Sequence, residues 1–259
     1  MPDDSDNIAE KAYMEIIADS EFHRENGMGH PRLLVMSGLP MSGKSHLSNI
    51  ISERLDGKIC VVRSDLFRPV VARAMGRAEP IYDRSEHALV FQVGERLVSN
   101  ALQKGWCVIS DATNLTEQNR EWAVRPATEI GCPVMVAFLN VSIETALDRN
   151  KEKNRDGSAA TPAVYAILNY EKEPIEKCRS PYIEINSEID IRPWGDILAK
   201  WISGEIDSVP GAVMPRSSHE PETERQKYRK AAKEKARLRK LEVAGNSYQH
   251  VHGDVAEHE

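Results

Sequence analysis

Residues 38–45 read Gly-Leu-Pro-Met-Ser-Gly-Lys-Ser, a complete GxxxxGK[ST] pattern, and its flanks give the pattern meaning. Leu-Leu-Val-Met-Ser precedes it and His-Leu-Ser-Asn-Ile-Ile-Ser-Glu-Arg-Leu follows it, so an apolar strand runs into a loop and the loop into a helix. Few folds accommodate that order. Glycines let the backbone wrap tightly enough for several N–H groups to converge on an anion, and the helix behind aims its positive dipole end at the same point. Gly38, Leu39, Pro40, Met41, Ser42, Gly43, Lys44 and Ser45 would form the cradle. Within it Lys44 is placed for the β and γ phosphates of a nucleoside triphosphate and the Ser45 hydroxyl for Mg²⁺, so ATP and Mg²⁺ are the expected ligands. The competing reading, an accidental glycine-rich turn, has to explain why both flanks fit.

The rest of the chain repeats the theme. Short apolar runs at 33–37, 58–63, 106–110, 133–140 and 182–185 alternate with helical stretches, the signature of βαβ units on a parallel sheet. This predicts an α/β fold with five strands. Ser85 begins a stretch with Val90, Val93, Leu97 and Ala101 on one face, and Gly105 stops it. Asn114 with Glu117 resembles a capping box, and Thr161 followed by Pro162 reads as a cap and first-turn proline. An N-terminal helix is expected over 8–22. Apolar residues at 41% and charged residues at 29% suit a folded globular chain. No run reaches the roughly 18 apolar residues of a membrane span, and the acidic N-terminus does not resemble a secretory signal, so the expected location is the cytosol. Cys60, Cys107, Cys132 and Cys178 lack zinc spacing and read as buried thiols.

Two strands end in carboxylates. Val-Val-Arg-Ser-Asp65-Leu-Phe-Arg68 puts Asp65 at the carboxyl edge of the sheet, where ligands of open α/β folds bind. Asp65 is placed to take a proton from an acceptor hydroxyl, with Arg68 on the same face, or else to cap the following helix. Val-Ile-Ser-Asp111-Ala-Thr-Asn114 repeats the pattern; Asp111 would hold Mg²⁺, orient the acceptor, or join Asn114 as a cap. Residues 149–157, Arg-Asn-Lys-Glu-Lys-Asn-Arg-Asp-Gly, look like a basic lid whose Arg149 or Arg155 could neutralise charge on a transferring phosphoryl group, or simply a basic helix end.

In this order the motifs GLPMSGKS, VRSDLFR, VISDATNLTEQNR and LDRNKEKNR resemble the P-loop kinases grouped around phage-type polynucleotide 5′-hydroxyl kinases, relatives of zeta-toxin-like kinases, over about residues 33–186. The resemblance implies the P-loop NTPase fold: a five-stranded parallel sheet flanked by helices, with a small lid. It implies an ATP-dependent phosphotransferase in which Lys44 and Ser45 bind phosphate and Mg²⁺, Asp65 is the general base and Arg68 contacts the acceptor end. Asp111 matches the acidic residue of the family's DxTN segment. A lid arginine would clamp the transferring phosphate, Arg155 in preference to Arg149. The implied organisation is a helical extension over 1–30, a kinase domain over 31–204, and a linker, basic helix and tail over 205–259. No DxDGT motif is present, so phosphatase activity is not implied. A polynucleotide or nucleotide 5′-hydroxyl is the first acceptor; a zeta-toxin-like or small-molecule kinase and a non-catalytic ATP-binding regulatory module are the alternatives.

Residues 225–240 carry nine Lys and Arg against Glu234 alone, on a chain of net charge −6. Such a run is either a solvated helix or an arm for nucleic-acid phosphates, while His250, His252 and His258 beyond it suit a polar tail better than a metal site. Deleting residues 222–259 separates the readings. An arm predicts weaker oligonucleotide binding with a flatter salt dependence, measured by titration across ionic strength; a solvated helix predicts no change in either.

Overall fold

In a computed structural model the described residues are 4–19, 27, 29–153 and 160–215. All fall in one compact unit, Met1–Pro215. Five strands, β1 (Leu33–Ser37), β2 (Cys60–Arg63), β3 (Val108–Asp111), β4 (Val134–Asn140) and β5 (Tyr182–Asn186), form a wholly parallel sheet in the order β2-β3-β1-β4-β5. β1 is central, and all five of its residues are buried. A strand covered on both faces has no reason to alternate polar and apolar residues, which is why it reads as an unbroken apolar run. Its side chains still alternate between two cores: Leu33 and Val35 join one, Leu34 and Met36 the other.

Helices α2 (Lys44–Arg54) and α8 (Arg192–Ser203) pack together on the second face. The first face carries α4 (Arg84–Gln103) and α5 (Glu117–Glu129), with α3 (Ser64–Ala74) and α1 (Asp4–Asp19) packed around α4. α1 buries Ala9, Ala12 and Ile17, and Arg73 and Arg96 pair with its Glu15 and Glu10. The N-terminal helix is thus part of the packed body and starts four residues earlier than its sequence pattern suggests. α6 (Ile143–Lys153) and α7 (Pro162–Glu171) complete the set, and no helix among the described residues is long and apolar enough to cross a membrane. The four cysteines are free and buried.

The strands stand where expected, with ends shifted by one or two residues, and Thr161 caps α7 by accepting from Val164 N–H. The capping box at Asn114 does not form. Thr116 is the cap of α5, its hydroxyl accepting from Asn119 N–H at 3.0 Å. Asn114 is buried with φ 46°, and its amide is spent elsewhere: Nδ2 donates to Met36 O at 2.9 Å and Oδ1 accepts from Trp122 Nε1 at 3.2 Å. Asparagine tolerates the left-handed region better than most residues, and a side chain committed to the neighbouring strand cannot also cap a helix.

The α2–α8 contact is close enough to test. A Cβ at Gly195 would stand 2.3 Å from Ile50 Cγ2 and 3.2 Å from Ile50 Cβ, the latter too near the backbone to move aside. Gly195→Val is expected to lower stability by about 1–3 kcal/mol through overpacking, read as a reduced denaturation midpoint.

Candidate active site

Because every strand is parallel, all five carboxyl ends meet along one edge of the sheet. β1 delivers the glycine-rich loop there, β2 delivers Asp65, and β3 delivers Asp111. The loop begins at Gly38, whose φ of 149° and lack of room for a Cβ (Ser42 Oγ at 2.6 Å, Leu139 O at 2.7 Å) exclude any side chain. Met41 has φ 60° and Gly43 φ 93°. Gly38 N–H donates to Thr113 O at 2.9 Å, and Ser37 Oγ donates to Asn114 O at 2.8 Å. Asn114 therefore pins the start of the loop to the β3–α5 connection, and buried Arg120 adds a bond from Nη1 to Asn114 O at 3.0 Å.

The turn draws Lys44 inward until only 8% of it is exposed. Its ammonium donates to Gly38 O at 3.0 Å, Leu39 O at 2.7 Å and Ser42 Oγ at 3.4 Å. Burial pulls its pKa down to about 8, although Asp111 and Asp65 both pull it upward. An ammonium so placed is an electrostatic demand for an anion. The first amides of α2 share the position, so charge and dipole act together.

The two carboxylates are differently equipped. Asp111 is 3% exposed, and its Oδ2 accepts from Arg63 Nε at 2.7 Å and from Ser48 Oγ at 3.5 Å. Arg63 also donates to Asn49 Oδ1 at 3.0 Å, tying β2, β3 and α2 together. Asp65 is exposed and makes neither hydrogen bond nor ion pair with a described residue. The cap alternative fails for Asp65, since Arg63 holds the N-cap position of α3 without any side-chain bond. It fails for Asp111 as well, which bonds Arg63 and Ser48 rather than the start of α5.

Arg68 departs from its expected place. Only 4% exposed, it donates from Nη1 to Glu86 Oε1 at 2.8 Å and lies 3.1 Å through Nη2 from His87 Nδ1. Glu86 is fully buried and also accepts from Arg77, Ile81 N–H and Tyr82 N–H. Burial opposes its ionisation, yet these donors, Arg68 foremost, hold its carboxyl below the usual range. Breaking a buried pair leaves an uncompensated charge, so Arg68 cannot leave Glu86 to meet an acceptor directly. Burial and Arg68 both push the His87 pKa down.

Arg149 reaches the loop. It donates from Nη1 to Met41 O at 3.2 Å and from Nη2 to Ser187 O at 2.7 Å, joining α6 and the end of β5 to the phosphate cradle. Arg155, the basic run 225–240 and the tail histidines lie outside the described residues. The sequence reading missed Asn114's pinning role, Arg63 and Glu86. Only Asn114 left a signal, its tolerance of left-handed backbone; the others depend on strand register and on an unpatterned connection.

Ser45 and Asp111 offer a hydroxyl and a carboxylate, the hard oxygen donors that Mg²⁺ takes, and the described residues hold no group of three or more His, Cys, Asp or Glu suited to a metal. Mg²⁺ usually completes its shell with substrate phosphates and water rather than a protein cage, so this sparse donor set fits it.

Residues 33–177 match the AAA domain family. Among solved structures, a putative kinase from Chloroflexus aurantiacus J-10-fl aligns with 18% identity over 71% of this chain and 100% of its own, at a TM-score of 0.54. A sugar kinase from Janibacter sp. HTCC2649, unliganded, aligns with 17% identity over 67% of this chain and 95% of its own, at 0.50. The protein described as APE1195 aligns with 18% identity over 70% and 99%, also at 0.50. No curated protein matches. At such identities the likeness speaks to fold, and it agrees with the five-stranded parallel sheet and phosphate-binding loop as a P-loop kinase-like architecture. With more than half of its length matched, the chain belongs to the AAA domain family.

Proposed function

We propose that this chain is an ATP-dependent phosphotransferase that moves the γ-phosphoryl group to a hydroxyl, and that the acceptor is a nucleotide or polynucleotide 5′-hydroxyl. One observation carries the reading: an exposed carboxylate that no described residue bonds, Asp65, lies within electrostatic reach of the buried Lys44 ammonium at the carboxyl edge of the sheet. A nucleotide switch needs the ammonium, but it has no use for an unpaired carboxylate beside it. Phosphoryl transfer needs both, one to hold the donor and one to accept the acceptor's proton.

In this reading residues 38–45 cradle the triphosphate and Lys44 neutralises its terminal phosphates. Ser45 and Asp111 would hold Mg²⁺, which when bound supplies further charge neutralisation at the β and γ oxygens. Asp65 takes the hydroxyl proton as the acceptor oxygen bonds to the γ-phosphorus, and the bond from that phosphorus to the β–γ bridging oxygen breaks, so that ADP leaves with the new charge beside Lys44. Arg149, already bonded to Met41 O, lies beside the cradle and needs only to exchange that carbonyl for a phosphate oxygen. Arg68 positions α3 and the connection to α4 rather than touching the acceptor.

The experiment is incubation of the protein with labelled ATP and a panel of 5′-hydroxyl oligonucleotides, nucleosides and sugars. Asp65→Asn is expected to keep ATP affinity while turnover falls by about 10²- to 10⁴-fold, the usual worth of a general base. Loss of ATP affinity in step with turnover would instead assign Asp65 to the donor site, and transfer to sugars alone would overturn the nucleotide acceptor.

The depressed Lys44 pKa gives a second test. In the free protein the ammonium is half deprotonated near pH 8, and a polyanion held against it raises that value. Binding of ATP should therefore take up protons between about pH 8 and 9, where the γ-phosphate is already ionised, and affinity should fall as pH rises through that window. Calorimetry in buffers of different ionisation enthalpy measures the uptake. Lys44→Met should bind weakly and take up none.

A further inference from the structure

The 75–83 connection between α3 and α4 carries an anomaly that phosphate binding leaves unexplained. Tyr82 has φ 57°, a left-handed conformation that a bulky aromatic residue adopts only when its surroundings impose it. Here the imposition is explicit. The N–H groups of Ile81 and Tyr82 both donate to the Glu86 carboxylate, which Arg68 and Arg77 hold in turn. A fully buried anion with at least four donors fixes the backbone of a residue that is itself 57% exposed.

What the clamp presents is one face of an aromatic ring. The inner side of Tyr82 meets the Arg68 guanidinium, 4.6 Å from the ring centroid, and its edge meets His87, with centroids 6.5 Å apart. His87 stacks on Phe91 at 6.2 Å, and Phe91 on Trp122 at 6.0 Å. Trp122 is anchored to Asn114, the residue that pins the phosphate loop. The ring is thus backed by a rigid aromatic series rather than carried on a loose loop, and Ile81, 60% exposed, extends the apolar surface beside it.

The platform stands close to the chemistry. Arg68 follows Asp65 by three residues on α3, about 4.5 Å of helical rise, and its buried guanidinium lies 4.6 Å from the Tyr82 ring centroid. We infer that the exposed face of Tyr82, with Ile81 beside it, stacks the planar base of the acceptor, so that the acceptor is a nucleoside or oligonucleotide end whose base lies next to the hydroxyl addressed by Asp65. Arg68 serves this recognition from behind the ring. The inference rests on the phosphotransferase reading and gives it a specificity element.

The test compares Tyr82→Asn, which suits the left-handed backbone but removes the ring, with Tyr82→Phe, which keeps the ring. Acceptor KM is measured for a 5′-hydroxyl dinucleotide, a free nucleoside and a non-planar sugar. Binding of the dinucleotide is measured in parallel by equilibrium titration with a non-hydrolysable ATP analogue present. For planar acceptors Tyr82→Asn should raise KM and Kd at least about fivefold and up to roughly a hundredfold, the range of base–aromatic stacking, while Tyr82→Phe restores both. KM for ATP and any turnover of the sugar should not move, which a merely structural role for Tyr82 would not allow. Unchanged planar-acceptor KM and Kd in Tyr82→Asn would overturn the platform and leave the kinase reading standing. Absence of dinucleotide binding by the unaltered protein would overturn the platform too. Dinucleotide binding that depends on Tyr82, without phosphoryl transfer to any acceptor, would support the platform and overturn the kinase reading alone.

Discussion

An ammonium group enclosed by its own loop governs the architecture around it. Lys44 is drawn in because the chain turns back at Gly38, where no side chain fits, and because Met41 and Gly43 adopt left-handed conformations that tighten the turn. Two carbonyls and a hydroxyl solvate the charge in place of water, and its lowered pKa records that the substitution is incomplete. A loop held so far from relaxed geometry needs rigid neighbours. β1 supplies one as the fully buried central strand, and the β3–α5 connection supplies another through Thr113 O and Asn114. The central place of β1 follows from the same need, because a strand flanked on both sides offers the least freedom to the loop leaving it.

A second buried charge organises the α3–α4 connection. The Arg68–Glu86 pair is costly to desolvate, and a pair of apolar residues would fill the space with less penalty. Its return is geometric. Glu86 takes up two amides of the α3–α4 connection along with two arginines, and so converts a short irregular segment into one with a defined backbone. Asp83 closes the same segment from the other end by capping α4 at Glu86 N–H. The two charged centres are linked through the stack that runs from Tyr82 to Trp122 and through Asn114 to the loop.

Much of this was legible in the sequence, and the limits have physical causes. Parallel strands buried on both faces announce themselves as apolar runs, so all five were found within one or two residues of their ends. The loop was legible because its chemistry is local, each residue acting through its own backbone or side chain. Caps were harder. Thr161 behaved as its neighbours dictate, whereas Asn114 had a competing claim on its amide from Met36 and Trp122, contacts that exist only once the sheet is assembled. Arg68 could be placed on the right helix, but its partner Glu86 lies 18 residues away across a segment with no periodicity. Arg63 read as the end of a strand; its role appears only in the β2–β3 register, which sets it opposite Asp111.

The division between the two acidic residues follows from where each strand stops. β2 ends at Arg63, and that arginine turns toward β3 and occupies Asp111, while the chain continues into α3 and carries Asp65 outward. A carboxylate that already accepts from a guanidinium has its charge compensated and that oxygen engaged. Its orientation is thereby fixed. A carboxylate that no described residue bonds keeps its lone pairs and its solvent access, as the base proposed above for Asp65 would need. Freeing Asp111 for an incoming group would mean releasing Arg63 and leaving that arginine without its counter-charge. The short sequence Arg63-Ser-Asp65 therefore does two things at once: it neutralises one carboxylate and presents the other.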